Sequence, residues 1–542
     1  MVDSPADVLK ISHDMFGWAS LRPGQAKAIE SVIAGHDTLV VMPTGAGKSA
    51  IYQIAGAFLG GTTVVVSPLI ALQIDQLNSL AEHPSAPRAV AINSSQGQKE
   101  NREALAALEA NLPLYFFVSP EQLAKPEVAR RLISSGVGLF VVDEAHLVSQ
   151  WGHDFRPDYL RLGEVIDKLG HPRVLALTAT GSPPVRQEIR QRLGFQNEKV
   201  LTLGFDRPNL HLDVVRHEDE QMKRKAVLAR PAVLDGPGLI YVPTHRDADT
   251  YSAELTSAGI RAEPYHAGHT VKQRRQTQES FMAGKIDVVV ATTAFGLGID
   301  KANVRYVLHT SPSDSLDSYY QEIGRAGRDG LRADVELHYR PADLGLRAFF
   351  AHRSSHPAEL DRLFTRLVGA SAPITVVELA DELVESAQSV TRQVNLLREA
   401  GAVSIGERGV SAADMSAPQA VSSAQMAEHE RSTIDSSRLS MMREYAETRQ
   451  CRRQHLLAYF GENLPEPCGN CDTCERGTAF EFEPEASVED ELAAGRAVRH
   501  ALWGKGSIVH SEATTLTVYF ETAGYRVLSR PDVLKHHLLE LS

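Results

Sequence analysis

The sequence predicts an α/β protein with two parallel-sheet lobes followed by three smaller modules. Three observations carry this expectation. Short β-branched runs alternate with helix-like stretches up to about residue 345, and then they stop. All four cysteines, Cys451, Cys468, Cys471 and Cys474, fall in one short window. The final residues alternate apolar and polar positions between glycine turns.

Residues 1–208 contain the runs "TLVVM" (38–42), "TVVVSP" (63–68), "LYFFVSP" (114–120), "VGLFVVDE" (137–144) and "RVLALTAT" (173–180). Near-continuous apolar strands of this kind belong to parallel sheets covered on both faces. Residues 209–345 repeat the rhythm with "GLIYVP" (238–243), "DVVVATT" (287–293) and "VRYVLHT" (304–310), so a second lobe is expected, joined to the first near "FDRPNL" (205–210). Over 346–412, "ITVVELADEL" and "SVTRQVNLLREAGAV" read as amphipathic helices, and "SIGERGV" as a tight turn between short strands. Two helices and a hairpin outline a winged helix. "SAADMSAPQAVSSAQ" (411–425) is small and polar and reads as a linker. Residues 426–478 form a helical module that contains the cysteines. "EFEPEASVEDELAA" (481–494) reads as an acidic linker, and 493–542 as a small antiparallel barrel or sheet.

Composition excludes little. At 542 residues the chain has room for roughly three to five domains, and its 43% apolar and 23% charged content is ordinary for a globular protein. The apolar runs fall far short of the about 20 residues that span a bilayer, and the N-terminus has no basic region leading into an apolar stretch. The expectation is therefore a cytoplasmic protein with no membrane partner. A net charge of −12 argues against wholesale polyanion binding but leaves room for a local basic groove.

The motifs carry the chemistry. "VMPTGAGKSA" (41–50) follows an apolar strand and lacks only the first glycine of the strict phosphate-loop pattern, because Met42 stands there. Thr44, Gly45, Ala46 and Gly47 offer backbone amides to a phosphate, Lys48 can reach the β/γ oxygens, and Ser49 can ligate Mg²⁺. "LFVVDEAH" places Asp143 and Glu144 at a strand end, suited to Mg²⁺ and to orienting an attacking water. "QEIGRAGRDG" (321–330) sets Arg325 and Arg328 in the other lobe, where an arginine could neutralise charge on a γ-phosphate. Against these stand a glycine-rich turn with a chance lysine, a solvated acidic strand end and a surface arginine pair.

The ordered series "LRPGQ" (21–25), "MPTGAGKS", "VSPLIALQIDQ", "DEAH", "SQWGHDFRPDY" (149–159), "LTAT", "FDRPNL", "YHAG" (265–268), "ATTAFGLGIDK" (291–301) and "QEIGRAGRDG" resembles the RecQ family of superfamily 2 DNA helicases. The resemblance implies RecA-like lobes, dependence on ATP and Mg²⁺, 3′→5′ movement on single-stranded DNA with unwinding, and work in repair or recombination near the nucleoid. It implies single strands and single-strand/duplex junctions as partners. Arg22 and Gln25 match its adenine-recognition motif, and Thr178 and Thr180 the motif that couples hydrolysis to lobe movement. Asp300 and Gln321 lie in motifs near DNA and nucleotide. Trp151, Phe155 and Arg156 match its DNA-sensing aromatic loop, whose chemistry suits stacking and charge. An RNA helicase of the same superfamily and a nucleotide-switched DNA-binding protein with weak unwinding remain as alternatives.

Cys451, Cys468, Cys471 and Cys474 follow C-x16-C-x2-C-x2-C, and four thiolates suit tetrahedral Zn²⁺. The closely spaced tail also resembles iron–sulfur spacing, and an unmetallated cluster is the plainer alternative. Resemblance to the RecQ zinc module implies one structural zinc. The order departs from the usual family pattern, because the winged-helix-like segment precedes the cysteines; that order resembles a shorter, RqlH-like actinobacterial type. The turn "GERG" carries no aromatic wedge. Arg392, Arg398 and Arg408 are candidates for duplex phosphates. The C-terminal segment resembles the Tudor-like domain of UvrD/PcrA helicases, which implies a protein partner such as RNA polymerase or a repair factor; a β cap without partner is the alternative.

Overall fold

The computed structural model describes residues 5–43, 45–68, 70–93, 96–110, 112–123, 125–149, 157–295, 301–345, 356–406, 408–481, 492, 496–511, 515–520 and 523–541. Thr44, Trp151, Phe155, Arg156 and Asp300 lie outside the described residues, as does most of the acidic 481–494 stretch.

Lobe 1 is built on β1 (Thr38–Val41), β2 (Thr62–Val66), β3 (Arg88–Ile92), β4 (Leu114–Val118), β5 (Val137–Val142), β6 (Arg173–Thr178) and β7 (Lys199–Thr202). They form a seven-stranded parallel sheet in the order β3-β4-β2-β5-β6-β1-β7. The apolar runs sit centrally and are buried on both faces, Val40, Val64, Phe116, Phe140 and Leu175 among them. This order explains how separated motifs meet. Strands β5, β6 and β1 are neighbours, so their carboxyl ends lie side by side, where open α/β sheets bind ligands.

Lobe 2 has β8 (Leu210–Arg216), β9 (Gly238–Tyr241), β10 (Ala262–Tyr265), β11 (Val288–Ala291), β12 (Tyr306–His309) and β13 (Ala333–Tyr339), a six-stranded parallel sheet ordered β10-β11-β9-β12-β13-β8. The apolar runs named above do not include β3, β7, β8, β10 and β13; of these, β8 and β13 carry polar side chains at alternate positions. In β13, buried Glu336 accepts from Arg230 and His338, which makes a charged residue tolerable inside a sheet.

The winged-helix outline is present. Helices Pro357–Val368, Val376–Leu383 and Ala387–Glu399 pack on the hairpin β14 (Val403–Gly406) and β15 (Gly409–Ala412) around their own core of Leu363, Phe364, Leu379, Val390 and Leu397.

The linker expected at 411–425 is corrected. Helix Ala417–Glu447 begins inside it and runs for 31 residues. Ser416 and Gln419 form a reciprocal capping box with Pro418 in the first turn, a strong start signal hidden in small polar residues. Ala420 and Ala424 are buried against the winged-helix core because their size permits close approach. At the other end, Met441, Met442 and Tyr445 enter the main core.

The last strands, β16 (Ala497–His500), β17 (Gly504–Ser511), β18 (Thr515–Phe520), β19 (Gly524–Ser529) and β20 (Leu539–Leu541), form an antiparallel sheet ordered β19-β18-β17-β16-β20. Among the described residues, no helix is long and apolar enough to cross a membrane.

Candidate nucleotide site and zinc centre

The loop after β1 turns through Gly45 and Gly47, at φ 82° and 85°, a backbone region open to glycine with little strain. Helix Lys48–Leu59 starts directly behind it. Two side chains brace the loop from the preceding segment: Gln25 Nε2 donates to Gly47 O at 2.8 Å, and the Arg22 guanidinium donates to Gly45 O. The pair expected at the adenine is found holding the backbone of the phosphate loop. Met42 keeps the strand register through its backbone, donating to Thr178 O and accepting from Lys48 Nζ at 3.3 Å. Ser49 is hydrogen-bonded to Tyr52.

Asp143 and Glu144 follow β5 and face this loop. Burial, and then the neighbouring Glu144, push Asp143 up to about 7, with Lys48 opposing. Burial lowers Lys48, and Arg328 lowers it further, while Glu144 and Asp143 pull it up. Lys48, Asp143 and Glu144, all half-buried, are thus held close together, the arrangement expected where a phosphate and a divalent cation would complete the balance. Glu144 sits at φ 49°, a strained conformation for a non-glycine residue.

The site also uses residues that motif reading passed over. His146 Nδ1 is 3.0 Å from Thr178 Oγ1 and 3.4 Å from Glu144 Oε2. Thr178 Oγ1 donates in turn to Thr180 O at 2.6 Å. The end of β5 is thereby wired to the turn after β6. The letters "DEAH" contain that histidine, but nothing in the spacing tells which threonine it meets.

Lobe 2 reaches the loop through one arginine of the two. A Cβ placed on Gly45 would lie 3.6 Å from Arg328 Cδ. Arg325 is buried within lobe 2 and bonded to Tyr241 at the end of β9. The "FDRPNL" segment sets this geometry. Arg207 donates to Ala326 O at 2.8 Å and Gly327 O at 3.0 Å, and Asn209 donates to Gly327 O at 2.8 Å. Gln321 is half-buried on the preceding helix, Leu316–Ile323.

Of the candidate duplex contacts, Arg392 and Arg408 are exposed. Arg398 is corrected: it pairs with Asp158 of lobe 1 at 3.3 Å and serves a domain contact.

The four cysteine sulfurs lie within 4.8 Å of one another. The Cys468 amide points at Cys451 Sγ (3.2 Å) and the Asn470 amide at Cys468 Sγ (3.4 Å). Four sulfurs gathered this closely are a donor set that fits tetrahedral zinc, to which each would bind as a thiolate. The module is fastened to lobe 2: Cys471 bridges to Leu212, and Asn470 Nδ2 donates to Leu210 O at 3.2 Å. The buried Arg452–Asp472 pair (2.6 and 3.0 Å) locks its helices.

Comparison with known proteins agrees with this layout. Residues 22–189 match the DEAD/DEAH box helicase family, 228–330 the helicase conserved C-terminal domain, and 412–475 the RecQ zinc-binding domain. The chain is 32% identical to the ATP-dependent DNA helicase RecQ of Bacillus subtilis, over 96% of this chain and 75% of that protein. It is 35% identical to the probable ATP-dependent DNA helicase RecS of the same organism, over 85% of this chain and 90% of that one. Against RecQ of Pasteurella multocida it is 34% identical and spans 62% of that protein's length. The solved structure of Mycobacterium smegmatis helicase Lhr bound to ssDNA and AMP-PNP shares the fold, with a TM-score of 0.50 and 20% identity over 79% of this chain and 61% of that one. With two parallel-sheet lobes around one phosphate loop, a four-cysteine zinc module behind them and relatives matched over most of their length, the chain belongs to the RecQ family of ATP-dependent DNA helicases.

Proposed function

We propose that the protein is a 3′→5′ motor on single-stranded DNA that opens duplexes at single-strand/duplex junctions, driven by one Mg·ATP held between its lobes. The observation that carries this reading is the placement of Arg328, from lobe 2, against Gly45 and beside Lys48 of lobe 1. In the proposed site Lys48 holds the β/γ-phosphates, Ser49 and Asp143 the Mg²⁺, and Glu144 the attacking water. Arg328 serves as the arginine that meets the γ-phosphate, and Arg325 positions its loop. Losing that phosphate removes the charge that draws Arg328 across, so the lobes separate. His146 passes the change at Glu144 to Thr178 and Thr180, where the family's coupling motif lies.

The proposed division of labour follows the segments 1–208 and 209–345 for the motor, 346–412 for duplex contact, 426–478 for the zinc module and 493–542 for protein contact. Arg392 and Arg408 are the remaining duplex-facing cations of the winged helix. A repair factor or RNA polymerase would meet the C-terminal module, on which Leu502, Val527 and Leu534 are exposed. Work on chromosomal DNA near the nucleoid follows from the motor assignment.

Lys48→Ala is expected to abolish DNA-stimulated ATP hydrolysis, and Arg328→Ala to lower kcat by about 10³-fold or more with nucleotide binding retained. Normal turnover in either variant, measured with a single-stranded oligonucleotide, would refute the shared site. Equal stimulation by RNA and DNA oligonucleotides would favour an RNA substrate.

A further inference from the structure

Beyond the cysteines, one other set of metal-competent side chains converges among the described residues: Asp249, His266 and His269, in lobe 2. Their ligand atoms lie within 4.8 Å of one another. Asp249 comes from helix His245–Ser257, while His266 and His269 flank the turn between β10 and helix Val271–Met282. His266 Nε2 is 3.1 Å from Asp249 Oδ1, and His269 Nε2 is 3.9 Å from the same oxygen. Two imidazoles therefore address one carboxylate oxygen.

The turn is built for this approach. A Cβ on Gly268 would lie 3.0 Å from His266 Nδ1 and 3.2 Å from His245 Nδ1, tighter than side chains normally pack, so any larger residue there would press on these rings. The His266 and His269 rings sit 3.9 Å apart between centroids, and His245 stacks on His266 at 4.6 Å. His266 is only 5% exposed, yet its Nδ1 has no hydrogen-bond partner, nor has the buried Nδ1 of His269. A hydrogen bond between one histidine and one aspartate needs no second imidazole at the same oxygen. Two neutral imidazoles and a carboxylate are instead a familiar donor set for a borderline divalent cation, with a fourth position left to water on the exposed Asp249 side.

We propose that Asp249, His266 and His269 form a second divalent transition-metal site, filled by Zn²⁺, that ties helix His245–Ser257 to the turn before Val271–Met282. The site is independent of the cysteine zinc, because it draws on other elements.

The test uses the full-length protein with its cysteine site filled. After equilibration with excess ZnCl₂ and gel filtration, elemental analysis is expected to give two Zn per chain. Asp249→Asn and His269→Gln, both at positions with solvent access, are each expected to return the count to one. Titration with CoCl₂ gives a second readout: the second equivalent should bind without a thiolate-to-cobalt absorption band, and at least about 10-fold more weakly in Asp249→Asn. The wild-type melting temperature should rise on adding zinc, and those of the variants should not. One Zn per chain in the wild type, or two retained in both variants, overturns the proposal.

Discussion

The two accessory β-containing modules are attached to the motor in opposite ways. The winged helix keeps its own core, with Leu363, Leu379, Val390 and Leu397 all inside it. Its polar ties to its surroundings include Arg398–Asp158 toward lobe 1 and Glu399–Arg431 toward the long helix. The C-terminal sheet also has a core of its own, with Val498, Ile508, Leu516 and Phe520 inside it, but it further commits Val509, Tyr519 and Tyr525 to the main core. Ser437 of the long helix grips Tyr525 at both backbone groups, receiving a hydrogen bond from its amide at 2.6 Å and donating to its carbonyl at 3.3 Å. The Tyr525 ring packs on Tyr459, and its buried hydroxyl lies against Ser182, at the head of the helix that follows the Thr178–Thr180 turn. Tyr459 in turn bonds Asp317 of the helix that carries the lobe 2 motif. The module that its sequence likens to a protein-docking appendage is thus joined to both lobes, whereas the module shaped like a DNA-binding domain shares its core with the start of the long helix and not with the lobes.

Breaking the tighter attachment should have the largest effect. Tyr525→Ala removes a fully buried aromatic side chain and is expected to cost about 3–5 kcal/mol. Because the ring bridges sheet, zinc module and lobes, urea unfolding should show the loss in the ATPase-competent transition itself. Loss confined to residues 496–541 in hydrogen exchange would mean the sheet is an appendage after all. Next in size, Leu397→Ala is expected to cost about 2–5 kcal/mol inside the winged helix. Its exchange protection should fall while single-strand-stimulated ATP turnover stays within about two-fold, and a matching fall in turnover would erase the contrast. The smallest effect is expected at the partly exposed Arg398–Asp158 pair: Arg398→Ala should lower stability by no more than about 1 kcal/mol. Its clearer readout is greater mobility of the winged helix against lobe 1, seen as a wider distance distribution between spin labels on the two.

The sequence made the motor legible and its attachments opaque, for a physical reason. Phosphate chemistry demands fixed residues at fixed spacing, so Lys48, Ser49, Asp143 and Glu144 announce themselves. Four cysteines in one window do the same. Sheet strands buried on both faces are equally plain, whereas "LHLDVVR" and "ADVELHY" conceal strands because each carries polar groups with specific partners. The division between Arg325 and Arg328 was not readable, since it depends on Tyr241, far away in sequence. Nor was the role of "SAPQAVSSAQ". Its small residues suit both a flexible connector and a helix pressed against a neighbour, and only the partner surface decides between them.

That helix carries a mechanical consequence. At 1.5 Å per residue, its 31 residues make a rod roughly 46 Å long. One end is anchored beside the zinc module and the other under the winged helix. A tilt of about 5° at the anchored end would sweep the far end through about 4 Å, comparable to the 3.4 Å rise between bases along a DNA strand. A small rocking of the motor can therefore be magnified by leverage into a displacement of the size of one nucleotide, without the distant domain deforming.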